Sequence, residues 1–261
     1  MITAASNSRI KRLVQLNQKS KLRRTEDVFL AEGVKMFLEA PREQLQEVYV
    51  SESFLEKCSC REHLGEVGYE VVSDSVFSKI SDTCTPQGVL CVLKQFHYNI
   101  EEMLRDKAPL FLLLENIQDP GNLGTMLRTG EGAGVSGIIM SRDTVDLYNP
   151  KVIRSTMGSI YRVPFYYADD FAAAVHQVQQ AGVSVYAAHL RGKNSYACQD
   201  YTKGTAFLIG NEGNGLREET AELADCYIRI PMEGKVESLN AAVASSILMY
   251  EAHRQRETIE K

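Results

Sequence analysis

Three stretches of this chain share one pattern: a short apolar run, a loop crowded with Asn, Gly and charged residues, then apolar side chains at helical spacing. They lie at 110–128, 206–217 and 227–250. Short apolar runs that do not alternate read as strands covered on both faces, the usual state of a parallel sheet. Strands are predicted at 110–114, 137–140, 184–188, 206–209 and 227–230, with a helix entered from Asp169 or Asp170 and closed by Gly182. Such β/α alternation builds a parallel sheet whose ligands sit at the carboxyl ends of its strands. All three polar loops then fall at one end, and a single site is expected from 119–128, 210–216 and 232–240.

The last helix carries Leu239, Ala242, Val243, Ser246, Ile247 and Tyr250 on one face and Ala241, Ala244, Ser245, Leu248 and Met249 on the other. A helix apolar or small nearly all round is buried on more than one side, against the sheet and a neighbour or against a second subunit.

The first 95 residues read as a small α/β unit. A helix is predicted over 6–19, opened by Ser6, Asn7 or Ser8, and 27–40 starts apolar and continues with helical spacing. Strands follow at 47–50, 69–72 and 89–93, separated by helix-compatible 53–64 and 75–80. The strand signal lapses after Lys94, so 96–108 is expected to link this unit to a second domain over 109–261.

The formal net charge of -5 gives no overall reason to expect nucleic acid, but it is unevenly spread. Residues 1–24 carry Arg9, Lys11, Arg12, Lys19, Lys21, Arg23 and Arg24 and no acid, which leaves -12 for the rest. A basic arm on an acidic body suits a protein that meets a polyanion with one face. The alternative is a solvated amphipathic helix with Ile10, Leu13 and Val14 as its apolar stripe. No run approaches the roughly 18 apolar residues of a membrane span, and no signal-peptide core opens the chain, so a cytoplasmic protein without membrane attachment is expected. Its six cysteines should then stay reduced. Cys58, Cys60 and His63 lack the spacing of a metal site, and no metal is expected.

The loops exclude several chemistries. Neither 118–128 nor 210–216 has the glycine pattern of a dinucleotide or nucleoside-triphosphate loop, and no hydrolase elbow or zinc-protease motif occurs anywhere. Arg128, early in the helix after the first loop, can grip a phosphate; the alternative is a surface pair with Glu131. Glu212 stands between glycines in the second loop, and Ser238 and Asn240 bracket the start of the last helix, where plain capping is the competing role.

Taken together, Asp119-Pro-Gly-Asn-Leu-Gly124 with Arg128, Gly210-Asn-Glu-Gly-Asn-Gly-Leu216, and Ile230-Pro-Met-Glu-Gly234 with Ser238-Leu-Asn240 resemble the three motifs of the SpoU (TrmH-type) RNA ribose 2'-O-methyltransferases of the SPOUT superfamily. Arg154-Ser-Thr-Met-Gly158 with Pro164 resembles the segment between motifs one and two, and Phe29-Leu-Ala-Glu-Gly33 the start of the family's substrate-binding domain. The resemblance implies an α/β fold with a C-terminal trefoil-knot domain, which general topology rules count as a rare exception, preceded by a small α/β RNA-binding domain. It further implies S-adenosylmethionine as cofactor, S-adenosylhomocysteine as product, and a homodimer sharing the final helix. Leu190, Gly210, Ile230, Met232 and Leu239 would line the cofactor pocket. Asn122, Arg128, Glu212, Ser238 and Asn240 would carry the chemistry. An arginine keeps its proton, so Arg128 is expected to bind the adjacent phosphate and developing oxyanion, with the proton acceptor left open. The basic residues of 1–24 would bind RNA. Ribosomal RNA, the 23S species first, is the expected substrate; transfer RNA, or a non-catalytic RNA-binding role, is the alternative.

Overall fold

The computed structural model describes residues 1–57 and 60–257, so Cys58 lies outside the described residues. The chain forms two compact units, one of Met1–Phe96 with Asp146–Tyr161, the other of His97–Val145 with the chain from Arg162 onward.

The first unit opens with α1 (Ser8–Gln18), capped by Asn7, whose Oδ1 accepts the Arg9 N–H at 2.9 Å, and α2 (Ser20–Glu26). The expected helical run 27–40 divides at Gly33, which has φ +114°, into strand β1 (Val28–Glu32) and helix α3 (Val34–Leu38). Then come β2 (Leu45–Ser51), α4 (Glu52–Lys57), α5 (Arg61–Val67), β3 (Glu70–Val72), α6 (Asp74–Ile80) and β4 (Val89–Lys94). The sheet runs β1-β4-β2-β3, and Ile10, Leu13 and Leu16 of α1 enter its core beside Tyr49, Phe77 and Leu90. A fully buried leucine or isoleucine is worth about 1.5–3 kcal/mol, so this apolar stripe anchors α1 as part of the unit. The basic segment is therefore a folded face, not a free arm.

The second unit begins with α7 (Ile100–Met103), β5 (Leu110–Leu114), α8 (Pro120–Ala133) and β6 (Gly137–Ser141). The chain then returns to the first unit, where α9 (Pro150–Thr156) lies, so one piece of the expected second domain packs with the first. Back in the second unit follow β7 (Phe165–Ala168), α10 (Phe171–Gln180), β8 (Ser184–Ala188), β9 (Asn194–Ser195), β10 (Thr205–Ile209), α11 (Glu218–Ala221), β11 (Cys226–Arg229) and α12 (Ala241–Glu257). The sheet order is β7-β6-β5-β10-β8-β11-β9 and every pairing is parallel. β5, β6 and β10 are buried along their whole length, as their unbroken apolar runs predict. The two strands not foreseen are those at the sheet's edges, β7 with its half-exposed tyrosines and β9 with only two residues.

α12 starts at Asn240, whose Oδ1 accepts the N–H groups of Ala242 (2.9 Å) and Val243 (3.2 Å), and runs against α8, with Ser246 Oγ 3.4 Å from Thr129 Oγ1. Ala242, Ser245 and Met249 are buried, while Val243 and Tyr250 on the other side are each 48% exposed. Between β8 and β9 the chain passes flush against β11. A Cβ on Gly192 would stand 2.7 Å from the carbonyl carbon of Ile228, closer than side chains tolerate.

Candidate active site

The site grows from the carboxyl ends of β5 and β10. Beyond β5 the chain turns at Asn116, a left-handed residue (φ 55°) of a type that tolerates that region, and its carbonyl accepts the Asn211 side chain at 2.8 Å. Asn211 also accepts the N–H groups of Gly213 (2.9 Å) and Asn214 (3.0 Å) and pairs through its backbone with Gly215, closing 211–215 into a tight loop. Position 210 has no room for a side chain, since a Cβ there would lie 2.2 Å from the Gly215 carbonyl carbon. Behind the loop, the buried Glu115 carboxylate, 1% exposed, accepts Arg217 N at 2.8 Å and the Thr220 hydroxyl at 2.5 Å. It thus ties β5 to the entry of α11.

This scaffold delivers Glu212 to the start of α8. Its carboxylate accepts the backbone N–H groups of Gln118 and Asp119 and the side-chain N–H of Asn122, each at 3.0 Å. Asn122 in turn accepts the Asn240 side chain at 3.0 Å. Asp119 caps α8 through Asn122 N at 2.8 Å, with Pro120 pre-set for the first turn. Each motif thus contributes one member to a continuous Glu212–Asn122–Asn240 chain. Partial burial works against a charge on Glu212, but the donors of Asn122, Gln118 and Asp119 outweigh it and hold the carboxyl below its ordinary range. The three side chains line an open groove of about 630 Å³.

Beside the groove, and sharing Asn211, Glu212 and Gly213 with it, lies a second cleft of about 310 Å³. Leu190, Gly210, Ile230, Met232 and Leu239, the five residues expected around a cofactor, all line it, and so does Ser238. Its volume and apolar walls suit an adenine nucleoside, within the usual range of roughly 300–1,000 Å³ for ligand pockets. Among the described residues, no cluster of side chains suited to a metal ion occurs.

Arg128 stands apart from the Glu212 chain. It is exposed on α8, six residues beyond Asn122 and so about 9 Å further along the helix axis. Glu131, its alternative partner, is instead paired with Arg162, which leaves the Arg128 guanidinium open to a ligand. The basic residues of the first unit divide in two. Arg9 pairs with Glu70 at 2.8 Å and Arg12 bridges Glu26 and Glu47. Arg23 is 3% exposed, bonded to the Leu16 carbonyl and to Asp146, both at 2.6 Å. A buried, paired guanidinium cannot also meet RNA, so Arg23 is withdrawn from the expected RNA-binding set. Lys11, Lys19, Lys21 and Arg24 are exposed.

Sequence reasoning missed Glu115, Asn211 and Arg217 as organisers of the site. Asn211 stood inside the expected loop 210–216, and Glu115 carried a signal of its own, a lone acid directly after five buried apolar residues.

Residues 109–250 match the SpoU rRNA Methylase family and residues 7–91 the MRM3-like substrate binding domain. The chain is 32% identical over 252 residues to the 23S rRNA (guanosine(2553)-2'-O)-methyltransferase RlmP of Bacillus subtilis, covering 95% of this chain and 97% of the relative. It is also 32% identical to the 23S rRNA (guanosine-2'-O-)-methyltransferase RlmB of Bordetella pertussis, covering 82% and 91%. Among solved structures, the AdoMet-bound rRNA methyltransferase from Sinorhizobium meliloti superposes with a TM-score of 0.84 at 31% identity, covering 97% of each chain. The SpoU methyltransferase AviRb from Streptomyces viridochromogenes in complex with AdoMet gives 0.87 at 26% identity, covering 97% and 99%.

Proposed function

Since this chain belongs to the SpoU rRNA methylase family and is an RNA methyltransferase, we propose that it methylates a ribose 2'-hydroxyl of ribosomal RNA, the 23S species, from S-adenosylmethionine. Its second unit has the trefoil-knot fold of the SPOUT superfamily. One observation carries the reading: the Glu212–Asn122–Asn240 chain opens onto a groove that abuts an apolar, nucleoside-sized cleft.

When bound, S-adenosylmethionine supplies an electrophilic methyl group on sulfonium and leaves as S-adenosylhomocysteine. The residues around the apolar cleft, Leu190, Gly210, Ile230, Met232 and Leu239, hold it. Methyl transfer to a hydroxyl is an in-line displacement in which the C–O bond forms as the C–S bond breaks and the hydroxyl proton is released, so most of the acceleration comes from positioning. Asn122 and Asn240 orient the ribose while Glu212 locks Asn122, and Ser238, exposed at the cleft, shapes the loop. Arg128, with no acidic partner among the described residues, binds the adjacent phosphate and the developing oxyanion charge.

RNA is held by the exposed cations Lys11, Lys19, Lys21 and Arg24 of the first unit. A second copy of the chain covers Val243, Ile247 and Tyr250, one helical stripe of α12 left open at 48% exposure at its two ends. No helix of the described residues is long and apolar enough to cross a membrane, and the enzyme works beside its RNA in the cytoplasm.

The deciding experiment incubates the protein with radiolabelled S-adenosylmethionine and unmodified large-subunit RNA, small-subunit RNA or transfer RNA, in separate reactions. Label in large-subunit RNA that blocks alkaline cleavage at one linkage, and is lost with Arg128→Ala, supports the reading. Label only in transfer RNA replaces the substrate, and label in none alongside intact RNA binding replaces the enzyme with a binding protein.

A further inference from the structure

His189 lies in the wall of the apolar cleft, beside Leu190, yet it has no place among the motif residues. It directly follows β8, with its backbone N–H held by the Ile228 carbonyl at 3.0 Å and its ring against that of Tyr227, the centroids 5.1 Å apart and the planes tilted by 37°. Nδ1 accepts the Arg191 N–H at 3.2 Å, closing the turn that also joins Gly192 N to the His189 carbonyl at 2.9 Å. With Nδ1 used as an acceptor, the neutral ring carries its proton on Nε2. Nε2 has no hydrogen-bond partner among the described residues, although the ring is half-buried and lines a cleft. A ring fixed through Nδ1, with its remaining donor uncommitted and the residue lining the cleft, can meet an acceptor on a ligand bound there.

We infer that His189 is a cofactor-binding residue whose Nε2–H donates to the bound nucleoside, and that the charge on its ring sets how strongly the cleft prefers a sulfonium over a thioether. The inference rests on reading the cleft as the S-adenosylmethionine site. S-adenosylmethionine and S-adenosylhomocysteine share their carboxylate, amino group, ribose and adenine. They differ by one methyl group and the positive charge on sulfur, so their affinity ratio isolates the response of the cleft to that charge. A neutral imidazole leaves the sulfonium unopposed. A protonated one repels it and also loses the Arg191 N–H bond, since Nδ1 can no longer accept.

The surroundings keep the ring neutral. Burial disfavours its charge and Arg191 adds repulsion, with Glu218 at the start of α11 opposing only in part, because it is itself paired with Arg191. From β11 the ring faces Tyr227, and Arg229 also lines the cleft; Glu212 and Glu237 are the carboxylates of the other loops around it. The His189 pKa is lowered from its ordinary 6.5, so the ring is neutral at neutral pH and charges only as pH falls below that value. Discrimination in favour of the sulfonium is therefore full at neutral pH and declines in acid.

The test titrates S-adenosylmethionine and S-adenosylhomocysteine into the full-length protein by calorimetry, from about pH 7.5 to about pH 5, spanning the range in which histidine titrates. The ratio of their dissociation constants, methyl donor over product, should rise about fourfold toward acid, the effect of a like charge several ångströms away in a half-solvated site. His189→Gln keeps a donor without titrating, and should make the ratio flat with pH whatever its absolute affinities. His189→Lys carries a fixed charge, and at neutral pH should show the ratio of the acid wild-type protein. A flat ratio in wild-type, or the same slope in His189→Gln, overturns the inference while leaving the cleft as the cofactor site. If neither compound binds at any pH, the reading of the cleft falls, and the inference with it.

Discussion

Glu212 accepts from Gln118, Asp119 and Asn122 at once, and an amide in its place offers a single acceptor oxygen and brings donors of its own. Glu212→Gln should therefore lower single-turnover methyl transfer by about ten- to a hundredfold, the value of one charge-assisted hydrogen bond. S-adenosylmethionine binding, measured separately, should change far less. The pH response has a definite sign. The folded carboxyl is held below its ordinary 4.5, so the ordering it provides is complete above that pH and is lost as pH falls through the lower folded value. Amide exchange at Gln118 and Asp119, corrected for intrinsic rates, should be independent of pH above about 5 and accelerate in more acid solution. If protection already fades near neutral pH, the carboxylate is not what orders the loop. Glu212, Asn122 and Asn240 were legible in the sequence because each is a polar side chain in a loop that topology sends to one end of the sheet. The bonds that Asn211 and His189 make were not, because they go to backbone groups whose positions no side-chain pattern encodes.

Among elements, the loop after β10 is confined from both sides. A Cβ at position 210 collides with the backbone of Gly215, so Gly210→Ala must open the loop, and a loss of about 2 to 4 kcal/mol in unfolding free energy is expected, with cofactor affinity falling alongside. Urea denaturation and ligand titration of the same variant check both. From behind, Glu115 braces α11, and Glu115→Ala strands the Arg217 N–H and Thr220 hydroxyl at a cost of about 3 kcal/mol. A variant as stable as wild-type would show that β5 and α11 hold together without it. The buried strands could be read from their apolar runs because every side chain of β5, β6 and β10 faces protein. β7 could not, since an edge strand with two partly exposed tyrosines has the composition of a surface loop, and two residues of β9 are too few for any period.

For the whole molecule, the excess of cations in residues 1–24 was plain in the sequence, but which of them are free was decided by acids far along the chain: Glu70, Glu47 and Asp146. Replacing Lys11 and Lys21 together by Gln should weaken RNA binding and reduce the slope of log affinity against log salt by about 1.4 to 1.8, with no loss of stability. Arg23→Ala should instead destabilise the first unit by about 3 kcal/mol and leave the salt slope of the folded protein unchanged. Filter binding across a salt series and thermal unfolding separate the two classes; an equal salt effect from Arg23→Ala would mean its burial is not maintained. The strand signal lapses after Lys94 and the first unit's opening segment ends at Phe96, whereas the return of 146–161 to that unit left no signal, because the segment lies between two strands of the other sheet. This return has a consequence for synthesis on the ribosome. Tyr148 packs against Phe29, the Tyr161 hydroxyl meets the Met36 carbonyl, and Asp146 neutralises Arg23, so the first unit lacks part of its interior until Tyr161 has emerged. That is 65 residues after Phe96. At about 5–20 residues per second the nascent unit waits on the order of 3 to 13 seconds, long compared with local folding, with a buried cation still unpaired. Vectorial folding of the amino-terminal part is thus coupled to translation of the carboxyl-terminal part, and release of a shortened chain before residue 161 should yield a fragment that chaperones bind and proteases clear.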